Sequence, residues 1–189
     1  MLKADGSRYT QVELVGATDQ TRRAIMRAGT PPKFEDLVGS EFAGMNCGFM
    51  PRVLGIRKFV KGFYEGPARS AEGPTPFVQG YNIDVRQNPI TEPYVFKTDL
   101  DKVKRYGFYR VHRVVSGAKD SVYANSVLLD YGLGGNGVSV TALLRDYLVQ
   151  VYPDDPTLFL GRAFLAVIGF RIPASFFVLK RLQAHNFKG

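Results

Sequence analysis

Between Arg145 and Leu182 the chain passes through three apolar stretches, RDYLVQVY, TLFLGRAFLAVIGF and ASFFVLKRL, with only PDDP and RIP between them. Each is rich in Val, Ile, Leu, Phe and Tyr and is bounded by Pro or Gly. The first and last alternate in chemistry along their length, the pattern of consecutive strands. They read as an antiparallel meander. Three strands with large apolar faces are not stable alone in water, so the rest of the chain has to supply their partners and a second wall.

The 189 residues fit a single domain, 18–189, preceded by an N-terminal arm, 1–17. An aromatic fraction of 13% excludes general disorder, and 20 Gly with 11 Pro imply many turns, as an all-β chain requires. The formal charge of +8 favours anionic surfaces. The one cysteine, Cys47, excludes an internal disulfide and fits a reducing compartment. The opening MLKADGSRYTQVELVG lacks the apolar core of a signal peptide, and no run is long enough to span a bilayer, so a cytoplasmic protein is expected.

Downstream of the arm, DQTRRAIMRA has an N-cap in Thr18 or Asp19 and a stop in Gly29 and Pro31, which predicts a short helix. KFEDLVG reads as a helical turn ending at Gly39, and SEFAGMN as a first barrel strand. The run from Leu37 to Gly44, LVGSEFAG, resembles the opening of GXWXG-domain proteins and, more loosely, of lipocalin-like (calycin) barrels. Ser40 stands at the first Gly of that motif, Phe42 at its Trp, and Gly44 at its second Gly. The order of elements that follows is also similar: a short helical segment, MPRVLGIRKF, then a basic strand, KGFYEG, then paired strands. The resemblance implies a β-barrel with an apolar interior and no assured catalytic residues.

GPARSAEGPTP reads as a loop; PFVQGYNIDVRQNP and TEPYVFKTDL each supply a strand, and DLDKVKR a helix-like turn. In RYGFYRVHRVV, alternation puts Phe108, Arg110, His112 and Val114 on one face, and DSVYANSVLLDYG groups Tyr123, Asn125, Val127, Leu129 and Tyr131. SGAKD between them has hairpin length. The fold class is therefore mainly β: an antiparallel lipocalin-like β-barrel with one or two short N-terminal helices.

Gly132-Leu-Gly134-Gly-Asn-Gly137 has the G-x-G-x-x-G spacing of a dinucleotide site. That chemistry needs the turn to open a helix whose N-terminus holds the pyrophosphate, with further parallel strands to follow. VSVTALLRDY is short and β-branched and runs into a meander, so a plain glycine loop between two strands is expected, and no cofactor. Two histidines and one cysteine rule out a multi-histidine or thiolate metal centre.

The remaining candidates lie on the strands. An inward His112 would be an acid or base near neutral pH, against the plainer reading of a structural histidine. Arg162 interrupts LFLGRAFLAV and has either to face solvent or to pair, for instance with Asp146. Alternatively it meets the acidic head of a ligand, a role Lys180 could share. The catalytic candidates are His112, Asp146 and Tyr147; the ligand-binding candidates are Arg110, Tyr123, Asn125, Arg162 and Lys180. Arg52, Arg57, Lys58 and Lys61, interleaved with Phe59, Phe63 and Tyr64, read as a solvated basic face, with an anionic membrane ranked above nucleic acid as its partner.

The function expected is binding of a hydrophobic small molecule (lipid, isoprenoid or pigment) within the barrel. The alternatives are an enzyme of the same shape with isomerase, cyclase or lyase chemistry, and an interaction module with a filled interior.

Overall fold

The computed structural model describes residues 2–48, 55–66, 77–98 and 102–189. Eight strands follow in order: β1 (Ser40–Cys47), β2 (Lys58–Gly66), β3 (Phe77–Ile83), β4 (Arg105–Arg113), β5 (Val127–Asp130), β6 (Leu144–Tyr152), β7 (Asp155–Val167) and β8 (Phe170–Ala184). Each pairs antiparallel with the next, and β8 returns to β1, so the sheet closes into a barrel. Closure gives every described strand a neighbour on both sides, which removes the two free edge strands of an open sheet.

Three short helices precede the barrel: α1 (Gln11–Gly16), α2 (Asp19–Ala28) and α3 (Phe34–Leu37). Thr10 and Glu13 form a capping box at α1, within the stretch read as an arm, and the Thr18 hydroxyl caps α2. Arg22 ties the two together, donating to the carbonyls of Leu14 and Val15 and to the Asp19 carboxylate. Leu14, Ile25 and Met26 are buried against Tyr147, Val149, Leu160, Phe176 and Val178 on the outer wall of β6, β7 and β8.

Both faces of the late strands are therefore covered. The inward face carries Phe42, Phe63, Tyr109, Leu129, Leu148 and Phe159, one continuous core. Its rings meet edge to face, Phe42 on Phe63 at 5.5 Å and on Phe159 at 5.3 Å between centroids. Several glycines sit directly opposite an aromatic residue on the next strand, among them Gly44 and Phe59, Gly62 and Tyr81, Gly80 and Tyr109, and Gly161 and Phe177. In each pair the ring fills the space a Cβ would take.

Several boundaries differ from the sequence reading. The last hairpin turns at Ile168 and Gly169, and RIP lies inside β8. Pro173 stands opposite Phe164 beside a bulge, in the part of β8 that no described residue of β1 pairs with, a position where a proline costs the ladder little. TEPYVFKTDL forms no strand between 91 and 98; only an isolated bridge joins Val85 to Phe96. Residues 120–126 are loop, and β5 is four residues long, because Asn125 turns out to donate to the carbonyls of Met26, Arg27 and Gly29 at the end of α2. Of MPRVLGIRKF, read as helical, residues 50–54 lie outside the described residues, 55–57 are turn and coil, and Lys58 and Phe59 begin β2. The loop at 67–76 and residues 99–101 of the helix-like turn also lie outside them.

Candidate functional site

Side chains fill the barrel along part of its length only. Toward the end where β5 joins β6 and β7 turns into β8, a cavity of about 420 Å³ remains, walled by Phe59, Phe177, Leu144 and Ala163. The glycines opposite Phe59 and Phe177 let both rings lie against the wall, which keeps this space free.

Four of the polar residues that line the cavity form one hydrogen-bonded cluster, Lys61 on β2, Asn82 on β3, Tyr131 after β5 and Asp146 on β6; Asn46, Tyr106, Thr141 and Ser175 also line it. The Lys61 ammonium donates to Asn82 Oδ1 at 3.0 Å and to the Tyr131 hydroxyl, and pairs with Asp146 Oδ2 at 3.2 Å. Tyr131 in turn donates to Asp146 Oδ2 at 3.3 Å, and Asn82 Nδ2 donates to the Gly107 carbonyl at 2.9 Å. The side chains of Lys61 and Asp146 are only 3% and 6% exposed. Such a pair holds its charges only with close partners, since desolvation costs several kcal/mol per ion. Four rings add to the support: Phe59, Tyr109, Tyr131 and Phe177 lie 4.9–5.5 Å from the ammonium.

The electrostatics follow from burial. Desolvation pulls the Lys61 pKa down, opposed by the Asp146 charge, and pushes the Tyr131 hydroxyl well up, reinforced by the same carboxylate. Tyr131 therefore remains a phenol that both donates and accepts. Asp146 Oδ1 is buried and has no hydrogen-bond partner among the described residues.

Of the eight side chains expected from the sequence, Asp146 alone reaches the cavity. Tyr147, its neighbour on β6, points to the outer wall, where burial pushes its pKa to about 12. Tyr123 packs on Tyr147 and Phe164 outside the barrel, at 5.8 and 6.5 Å. Asn125 holds the end of α2. Arg162 does not pair with Asp146: in the β6–β7 register it stands opposite Tyr147, and Ala163 stands opposite Asp146. Its guanidinium instead lies over Phe176 on the outer wall, at 4.1 Å. Lys180 donates to Thr157 and faces Asp155 at 3.7 Å. His112 is opposite Leu128, an outer-wall residue, and burial lowers its pKa. Arg110 shares that outward face and lies over Phe77 at 4.4 Å.

Lys61, Asn82 and Tyr131 are not among the site residues the sequence suggests. Lys61 had been assigned to a solvated basic face, yet it alternates with Phe59 and Phe63 on β2, and one lysine between two inward phenylalanines was the available signal.

The glycine stretch is a loop, as expected. Tyr131–Leu133 and Val140–Leu143 are 3-10 turns followed directly by β6, so the glycines open no α-helix that could receive a pyrophosphate. Asn136 ties the loop to the barrel through the carbonyls of Phe108 and Tyr131, at 2.6 and 2.7 Å, and so fixes Tyr131 over the cavity.

Fold and site together define an eight-stranded closed antiparallel barrel, consistent with a lipocalin-like architecture, whose cavity carries a buried lysine–carboxylate cluster. Comparison with protein-family models, curated proteins and solved structures gave no match. No described helix is long and apolar enough to cross a membrane.

Proposed function

We propose that the barrel binds a hydrophobic small molecule of the lipid, isoprenoid or pigment class, its apolar body against Phe59 and Phe177 and its polar end at the Lys61–Asp146 cluster. The observation that carries this is the pairing of a partly filled barrel interior with a cavity of about 420 Å³ whose buried charged pair, Lys61 and Asp146, sits among apolar walls. Cavities of roughly 300–1,000 Å³ with few polar groups are the usual form of small-molecule sites. The resemblance of residues 37–44 to lipocalin-like and GXWXG-domain openings supports the same reading. The buried free Cys47 fits a cytoplasmic setting. Exposed Ile168 and Phe170, at the end of the barrel that holds the cavity, support contact with an anionic membrane as the ligand's source.

The test is native mass spectrometry of the purified protein, organic extraction, and titration with a hydrophobic fluorescent probe, with and without Ala163→Leu to fill the cavity. A released apolar molecule, or probe uptake that Ala163→Leu abolishes, is expected. A clean apoprotein that takes up no probe would overturn the reading in favour of an interaction module.

A second reading, an acid–base enzyme on the enclosed molecule, draws on the mutual hydrogen-bond reach of Lys61, Tyr131 and Asp146. Incubating the extracted molecule with fresh protein separates the two: an unchanged compound marks a binder, a converted one an enzyme.

A further inference from the structure

The polar end of the cavity is asymmetric in what it can still offer. The Lys61 ammonium donates to Asn82 Oδ1 and to the Tyr131 oxygen and forms an ion pair with Asp146 Oδ2. The Tyr131 proton is directed at Asp146 Oδ2. Lys61 and Tyr131 thus direct their protons within the cluster, and Asn82 Nδ2 donates to the Gly107 carbonyl. On the acceptor side, Asp146 Oδ2 serves both Lys61 and Tyr131, whereas Oδ1 is buried and bonded to none of the described residues. A buried charged acceptor left unmatched is costly, and Asp146 lines the cavity, from which a bound molecule could supply the donor.

We infer that the molecule held in this cavity presents a hydrogen-bond donor, the hydroxyl of an apolar alcohol or phenol, to Asp146 Oδ1. This rests on the reading of the barrel as a small-molecule binder and names the chemistry of the ligand's polar end. The alternatives fit worse. A carboxylate would bring a second negative charge against Asp146, and the one nearby cation is already paired with it. An ether, ester or ketone accepts only, so it would leave Oδ1 unmatched whether it bonded to Lys61, to Tyr131 or to the Thr141 and Ser175 hydroxyls that also line the cavity. An alcohol matches Oδ1 without drawing Lys61 or Tyr131 from its partners.

Isothermal titration with 1-decanol, decanoate and decyl methyl ether at pH 7 tests this, because the three share a chain and differ at the polar end. Decanol is expected to bind at least tenfold tighter than either of the others. In Asp146→Asn the carboxylate is gone and Lys61 is left without its counter-charge, so the order is expected to reverse, with decanoate binding tighter than decanol. Equal or tighter binding of decanoate or the ether to the wild type overturns the inference and leaves the binding reading intact. So does uptake of the fluorescent probe without binding of any of the three. Failure of all three compounds and of the probe overturns the binding reading itself. The wild-type selectivity decides the question even if Asp146→Asn does not fold.

Discussion

Gly80 stands directly opposite Tyr109 across the β3–β4 ladder, and the phenol ring lies over the glycine with its hydroxyl 3.2 Å from the Gly62 carbonyl on β2. A Cβ at Gly80 would fall inside the van der Waals surface of the ring. Tyr109 cannot swing aside, because it is fully buried against Phe63 and Tyr131. Gly80→Ala is expected to cost about 1–3 kcal/mol, the range for overpacking a filled interior. Urea unfolding measures it, and a loss below about 0.5 kcal/mol, the scatter of surface substitutions, would show that the ring is free to move.

Lys61 and Asp146 form a buried pair whose members depend on each other. Lys61→Met strands a carboxylate in the barrel and is expected to cost about 3–5 kcal/mol. Lys61→Met with Asp146→Leu removes both charges, and the double variant is expected to recover most of that loss. A double-mutant cycle by urea unfolding reads the coupling. Additive losses would mean that the two groups do not support one another.

Ile168 and Gly169 are the two residues of the β7–β8 turn, with φ of 43° and 84°. A two-residue turn with both φ values positive favours Asn-Gly, and a β-branched residue there is strained. Ile168 gains no packing in return, since it is 93% exposed. Ile168→Asn is therefore expected to raise stability by about 1 kcal/mol. A lower unfolding midpoint would mean that the isoleucine makes a stabilising contact after all.

How far the chain could be read before folding depended on which faces were covered. Alternation identified the late strands, because Asp146 and Leu148 point inward where Tyr147 and Val149 point outward. It could not say which face was the interior, because α1, α2 and Tyr123 bury the outer wall of β6, β7 and β8 as thoroughly as the barrel buries the inner one. Arg162 and Lys61 show the consequence. Both are charges within apolar strands, one lying over Phe176 outside and the other enclosed by four rings inside. The distinction is set by closure between β1 and β8, a contact between distant parts of the chain that local pattern does not encode. Asn125 reads in the sequence as a ligand-facing strand residue, but its role at the end of α2 depends on a loop folding back across the outer wall.

His185 sits just beyond β8 with its ring fixed from both sides. Nε2 lies 3.0 Å from the Phe63 carbonyl, and Nδ1 receives the Phe187 backbone N–H at 3.1 Å. A carbonyl only accepts and an N–H only donates, so the proton is on Nε2 and the imidazole is neutral. Burial holds its pKa below the ordinary 6.5, against the raising effect of Glu41, and His112 is shifted the same way by burial. Between the folded pKa and 6.5 the unfolded chain binds more protons than the native one, so stability rises with pH there. The contribution is complete above 6.5 and is lost as pH falls toward the folded value. The urea midpoint is therefore expected to drop between pH 7.5 and pH 5.5. Replacing both His112 and His185 with Gln should flatten that dependence, even if the substitutions lower stability at both pH values. A double variant that keeps the full wild-type slope would show that protonation of other groups sets it.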